Sequence, residues 1–181
     1  MYKTTRMKKI ITPISLLLYV LLGSCNFTVE HKQTNDEKNV AKKGSSKIRN
    51  GIDLHTKGNL KVSQAFLLFE DGSLVPPTNE TKVNQEVTLR LILETGFTEN
   101  NGKVEIGASE KIETNTGQLV LDEKDLFKDL GEVDAERAKA LTLKAVITRL
   151  DKLYDYFLVS FKVWDKKGNG EISGSYKLYI Q

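Results

Sequence analysis

Cysteine is almost missing from this sequence: there is one, Cys25, in 181 residues. A single thiol excludes an internal disulfide framework, and with it zinc sites built from several thiolates. Histidine is nearly as scarce, with only His31 and His55, both in the first third of the chain. Residues 58–181 contain neither His nor Cys. Catalysis by Ser-His-Asp or Cys-His therefore lacks its base there, and zinc lacks an imidazole. No glycine-rich phosphate loop follows a strand and opens a helix. Apolar runs are short as well. The longest, Ile10–Leu22, spans 13 residues and is interrupted by Thr12, Pro13 and Ser15, whereas a membrane-crossing helix needs about 20. An enzyme built on residues 58–181 would have to use carboxylates, lysines or tyrosines alone. The expectation is no enzyme, no metal and no cofactor.

What is present begins at the N-terminus. Lys3, Arg6, Lys8 and Lys9 precede the apolar run, and the small residues Gly23 and Ser24 follow it. A basic segment, a short apolar segment and small residues at a cut site make a secretory signal. Leu22-Gly23-Ser24-Cys25 resembles the lipobox of bacterial lipoproteins. That resemblance implies a diacylglycerol on the Cys25 thiol and cleavage after Ser24. It implies a signal peptide over residues 1–24 and a membrane-attached protein of the cell envelope. Asn26 is not the aspartate that retains lipoproteins in an inner membrane, which points to the outer membrane if the host is Gram-negative. All four charges before Cys25 are basic, so cleavage leaves 23 basic and 24 acidic residues, a net charge of −1. No basic footprint then remains for nucleic acid.

Residues 25–57 are polar, with Lys42-Lys43-Gly44-Ser45-Ser46-Lys47 near their end. Composition of this kind buries too little apolar area to offset ordering entropy. It reads as a disordered tether whose end-to-end distance would be roughly 30 Å. A docked strand through Ile48, Ile52 and Leu54 is the alternative for its last residues. The sequon-like Asn26-Phe27-Thr28 and Asn79-Glu80-Thr81 are read as chance.

Residues 58–181 carry a period of two. Val87, Leu89, Leu91 and Leu93 alternate with Thr88, Arg90 and Ile92, and Leu141 to Ile147 alternate likewise. Phe157, Val159, Phe161 and Val163 are followed by Asp165–Gly170, a turn sequence, and then by Ile172, Tyr176 and Leu178. Half-buried strands read this way. One register makes both runs agree: Trp164 opposite Glu171, Val163 opposite Ile172, Val159 opposite Tyr176 and Phe157 opposite Leu178. A slip by one residue would turn every apolar side chain to the wrong face. Further strands are expected at Leu60–Glu70, Lys103–Ile106, Ser109–Glu113 and Gln118–Leu121. A short helix capped by Asp122 and stopped by Gly131 is expected, with a second helical turn from Asp134 to Ala140. The sum is an all-β, two-sheet sandwich of about seven strands with one or two helical turns. Val83–Leu89 and the Tyr156–Ile180 hairpin resemble immunoglobulin-like domains of bacterial envelope lipoproteins, without the Cys-Trp-Cys core.

Candidate chemistry is sparse. Asp122, Glu123, Asp125, Asp129, Glu132, Asp134 and Glu136 lie within fifteen residues and could supply oxygens to calcium, although acids also serve helix starts and solvated faces. The Asp165–Ile172 stretch has a calcium-loop outline, but Lys167 and Tyr176 stand where ligands belong, so it reads as a hairpin turn. Tyr156, Trp164 and Tyr179 fall on the outer face and are the candidate binding residues. The expected function is a non-catalytic binding or scaffolding module with an envelope protein as partner. Glycan binding through the three aromatics is the alternative, and a carboxylate-dependent hydrolase comes last.

Overall fold

A computed structural model of the chain describes residues 47–148 and 150–181. The expected signal sequence, Cys25 and most of the expected tether lie outside the described residues. Eleven strands run through the described residues: β1 (Lys47–Ile48), β2 (Asp53–Lys57), β3 (Lys61–Phe69), β4 (Glu80–Thr81), β5 (Glu86–Thr95), β6 (Lys103–Thr114), β7 (Leu119–Glu123), β8 (Glu132–Asp134), β9 (Ala140–Val146), β10 (Phe157–Asp165) and β11 (Glu171–Ile180). They form the expected all-β sandwich. The smaller sheet has the order β1-β3-β5-β9 and the larger β2-β11-β10-β6-β7, with β4 beside β11 and β8 beside β6.

Alternation along each strand builds the core. From the smaller sheet, Ala65, Leu67, Val87, Leu89, Leu91, Leu141, Leu143 and Ala145 turn inward; from the larger, Ile106, Ile112, Phe157, Val159, Phe161, Val163, Ile172, Tyr176 and Leu178 do so. All of them belong to one apolar cluster. Each large side chain hidden this way contributes about 1.5–3 kcal/mol. The hairpin has the register expected from its sequence, with Trp164 opposite Glu171, Val159 opposite Tyr176 and Phe157 opposite Leu178.

Four expectations are corrected. Residues 47–57, assigned to the tether on composition, form β1 and β2, because Ile52 is buried in the core and β2 closes the edge of β11. Lys103–Ile106 and Ser109–Glu113 are one strand, β6. The Gly107-Ala108 interruption keeps its pairing, with Gly107 opposite Trp164. The helix from Asp122 is absent: Asp122 belongs to β7, and the chain turns instead at Asp125, whose carboxylate accepts the Phe127 N–H at 3.0 Å. A helical turn does form inside the Asp134–Ala140 stretch, as a 3-10 turn at Arg137–Lys139. The strand count rises from about seven to eleven because β1, β4 and β8 are two or three residues long, too short to show a period, and β2 is polar.

Two asparagines fasten the N-terminal strands to the sandwich. Asn50 and Asn79 both adopt left-handed backbone, at φ 57° and 56°, and are only 7% and 5% exposed. The Asn50 amide donates to Asn79 Oδ1 at 2.9 Å and to the carbonyls of Val75 and Pro76, and its Oδ1 accepts the Leu67 N–H at 3.1 Å. Asn79 donates to the carbonyls of Asn50 at 2.8 Å and Lys177 at 2.9 Å. One polar knot thus joins both sheets. Asn79 has no room for a glycan, so its sequon is chance. Asn50→Ala leaves buried groups unpaired and places a Cβ residue at positive φ, which predicts a loss of about 3 kcal/mol. Urea unfolding checks it: the midpoint falls with unchanged slope. Asn101→Ala, at φ 51° on the surface, costs only about 1 kcal/mol. Equal losses in the two variants would refute the role of the knot.

Candidate functional site

The outer face of the larger sheet is the surface on which the sequence placed its binding residues. Since β10 alternates strictly, every residue out of phase with Phe157, Val159, Phe161 and Val163 faces solvent. That puts Leu158, Ser160, Lys162 and Trp164 in one row. Opposite Ser160 and Lys162 on β11 stand Ser175 and Ser173, and on β6 stand Lys111 and Ser109. Hydroxyls and paired charges therefore fill the middle of the face, and rings occupy its ends.

The three candidate aromatics divide between those ends. Tyr156 and Tyr179 meet edge to face, with ring centroids 6.3 Å apart and an interplanar angle of 64°. Lys177 Nζ lies 4.0 Å from the Tyr156 centroid, a cation–π contact. Tyr179 is 38% exposed and lines a groove of about 370 Å³ with Leu158, Lys177, Pro77, Asn79 and Asp53. Trp164 is eight residues further along the strand, about 26 Å away. It lines a second groove, of about 470 Å³, with Ser109, Lys124, Lys162, Asn169 and Glu171. A single coplanar patch of all three rings does not exist. The structure joins Tyr156 to Tyr179 and leaves Trp164 apart.

Trp164 has its own seat. A Cβ on Gly107 would fall 2.0 Å from the indole Cε2 and 2.4 Å from Nε1, so the ring lies directly on the glycine backbone. Gly107, which reads in the sequence as a break, is the site of that close approach.

Charges on and around this face are spoken for. Lys162 pairs with Glu171 at 2.7 Å, Lys111 with Glu113 at 2.8 Å and Lys167 with Glu105 at 2.7 Å. Four of the seven acids between Asp122 and Glu136 are held in the same way: Asp122 meets Lys124 at 2.6 Å, Asp125 meets Lys166 at 2.8 Å, Asp134 meets Lys103 at 2.6 Å and Glu136 meets Lys139 at 2.6 Å. Burial pushes the Asp125 carboxyl up, but the Lys166 ammonium and the Phe127 and Ala108 N–H groups outweigh it and hold the carboxyl below its usual value. Among the described residues no three Asp, Glu, His or Cys side chains converge on a metal position. In the hairpin turn both oxygens of Asp165 are occupied: Oδ2 accepts the Thr98 N–H at 2.6 Å and Oδ1 the Lys167 N–H at 2.9 Å. The loop is held as a turn by its own carboxylate.

One exclusion made on the sequence loses its ground. His55 belongs to β2, opposite Ser173, with Asp53 Oδ1 3.3 Å from its Nε2. Sequence reasoning set both histidines aside as tether residues, so it missed this one. The His55 and Asp53 side chains are each more than 70% exposed. A triad carboxylate is buried against its histidine to fix the tautomer, and nothing fixes it here. Sequence reasoning also missed Glu110, a charge at an apolar position of β6. Its parity with Ala108 and Ile112 was the available signal.

No family model matches the chain, and no curated protein matches it either. Among solved structures it is similar to one described as the C-terminal domain of wzt, with 13% sequence identity and a TM-score of 0.45 over 75% of this chain and 81% of that one. A likeness of this degree carries no weight for ligand or partner.

The seat of Trp164 gives a direct test. Gly107→Ala must push the indole off the strand, at a cost of about 1–3 kcal/mol. Trp164 is the sole tryptophan, so its emission reports the change without ambiguity. A red shift in the folded variant is expected, and an unchanged spectrum would show that the ring does not rest on Gly107.

Proposed function

We propose that this chain is a lipid-anchored envelope protein whose sandwich is a non-catalytic module for binding a protein partner. The observation that carries the binding role is the long, open outer face of the larger sheet, with grooves at both ends and paired charges between. A face of this form suits a macromolecular partner, since a small molecule needs an enclosing pocket. The tyrosine pair favours protein. Its rings stand edge to face, with Lys177 over one of them, and so present an aromatic corner of the kind that anchors protein interfaces. The pre-paired ions add little attraction of their own.

The lipid anchor is tested with radiolabelled palmitate. Label on the wild-type chain and none on Cys25→Ala is the expected result. A native mass with Met1 intact and no added lipid would overturn the anchor. The partner is tested by crosslinking and recovery from the native envelope. One discrete protein should co-purify with the wild type, and Tyr179→Ala should reduce its recovery at least tenfold while Trp164→Ala leaves it unchanged.

A second reading, glycan binding, draws on the Trp164 groove. One indole face is fixed against Gly107 and the groove beside it carries Ser109, Asn169 and the Lys162–Glu171 pair, a combination of ring and hydrogen-bonding groups that suits a sugar. On a glycan array this reading expects saturable binding that Trp164→Ala abolishes and Tyr179→Ala spares. Recovery of polysaccharide in place of protein from the envelope would make it the leading reading.

A further inference from the structure

Glu110 occupies a core position. Its neighbours of the same parity on β6, Ala108 and Ile112, are buried, and Glu110 itself is 2% exposed. Phe161 stands opposite it on β10 and Glu123 on β7. Its Oε1 has no protein hydrogen-bond partner among the described residues, and neither does the hydroxyl of buried Tyr176 on β11. The Tyr176 ring lies 6.4 Å from that of Phe161, so the two unpaired polar groups flank one phenyl ring. Tyr176 from β11 and Glu123 from β7 are the titratable groups that face Glu110, while β10 presents only Phe161. Among the described residues no ion pair reaches the Glu110 carboxyl.

The position of β6 gives this carboxyl a way out. β6 is second from the edge, and β7 pairs with it over only a few residues, with a register irregularity between Ile112 and Glu113. On its other side β7 has no strand. Lifting β7 admits water to β6, whereas hydrating Glu110 from the opposite side would break the β6–β10 pairing, which is nine residues long.

We propose that Glu110 is a pH-sensitive latch on this edge: neutral, it lets β6 and β7 close over the core, and ionised, it releases β7. Burial raises its carboxyl from 4.5 to about 7. Burial first, and then the Glu110 charge, hold the Tyr176 hydroxyl well above its usual value, so the phenol stays neutral throughout. Below pH 4.5 the carboxyl is protonated in closed and open states alike, and the closed edge has its full stability. Between 4.5 and about 7 only the open state ionises, so closure weakens up to tenfold per pH unit. Above about 7 both states are ionised and the loss levels off, at a ceiling of about 300-fold.

Hydrogen exchange of the full chain, corrected for intrinsic rates, tests this at pH 5.0 and 8.5. Opening of β6–β7 amides should rise about 70-fold relative to amides of β3 and β5, and Glu110→Gln should abolish the rise. An equal rise in β3 and β5 would overturn the latch, because the effect would then be global. So would a rise that persists in Glu110→Gln. Should that variant fail to fold, carboxyl ¹³C titration of the wild type decides. A midpoint well above 4.5 supports the latch, and one at the ordinary glutamate value overturns it.

Discussion

The structure depends on β10 keeping one face dry and the other wet along its whole length. β10 is the centre of the larger sheet, paired over most of its residues to β11 and to β6, so its parity sets the parity of both neighbours. Four inward residues, Phe157, Val159, Phe161 and Val163, enter the core together. A one-residue slip would expose all four and bury Lys162 and Trp164, a change no local adjustment could absorb. The same parity distributes the functional groups. It places Trp164 over Gly107 on the outside and Phe161 opposite Glu110 on the inside. The binding face and the buried carboxyl are two consequences of one alternation.

With a single cysteine, the sandwich has no disulfide to hold its sheets together. The Asn50–Asn79 knot does part of that work with hydrogen bonds. It ties the turn before β2, the segment after β3 and the carbonyl of Lys177 on β11 into one buried cluster. Both residues sit at positive φ, a conformation asparagine tolerates better than other residues with a Cβ. The knot also explains why β1 and β2, weak as isolated strands, are part of the fold. Their stability comes from tertiary bonds, which composition cannot display.

The difference between what was and was not legible follows from that point. The β10–β11 hairpin was legible to the register because large apolar residues recur on one face of both strands, and Asp165–Gly170 is an unmistakable turn. β3, β5 and β9 were legible for the same reason. β1, β4 and β8 have too few residues to carry a period, and β2, with the sequence Asp-Leu-His-Thr-Lys, is polar because it lies on an edge. Gly107 was misread as a gap because its meaning resides in the ring across the strand. The aromatics were placed on the outer face from parity alone. Their separation into two ends required the length of β10 to be taken into account: residues that share a face need not share a site.

Electrostatics constrains what the outer face can recognise. Lys111 and Lys162 already have carboxylate partners, Lys177 lies over the Tyr156 ring, and the chain after the proposed cleavage would be nearly neutral. Long-range steering by net charge is therefore weak for any partner. Selectivity on such a surface has to come from contact: the aromatic corner of Tyr156 and Tyr179 at one end, the supported indole at the other, and the serine hydroxyls between. Those contacts keep their geometry only while β6, β10 and β11 remain flat against the core. Glu110 lies directly beneath that arrangement, on the strand that carries Gly107 and Ser109. The buried carboxyl and the Trp164 seat thus share a single strand, β6.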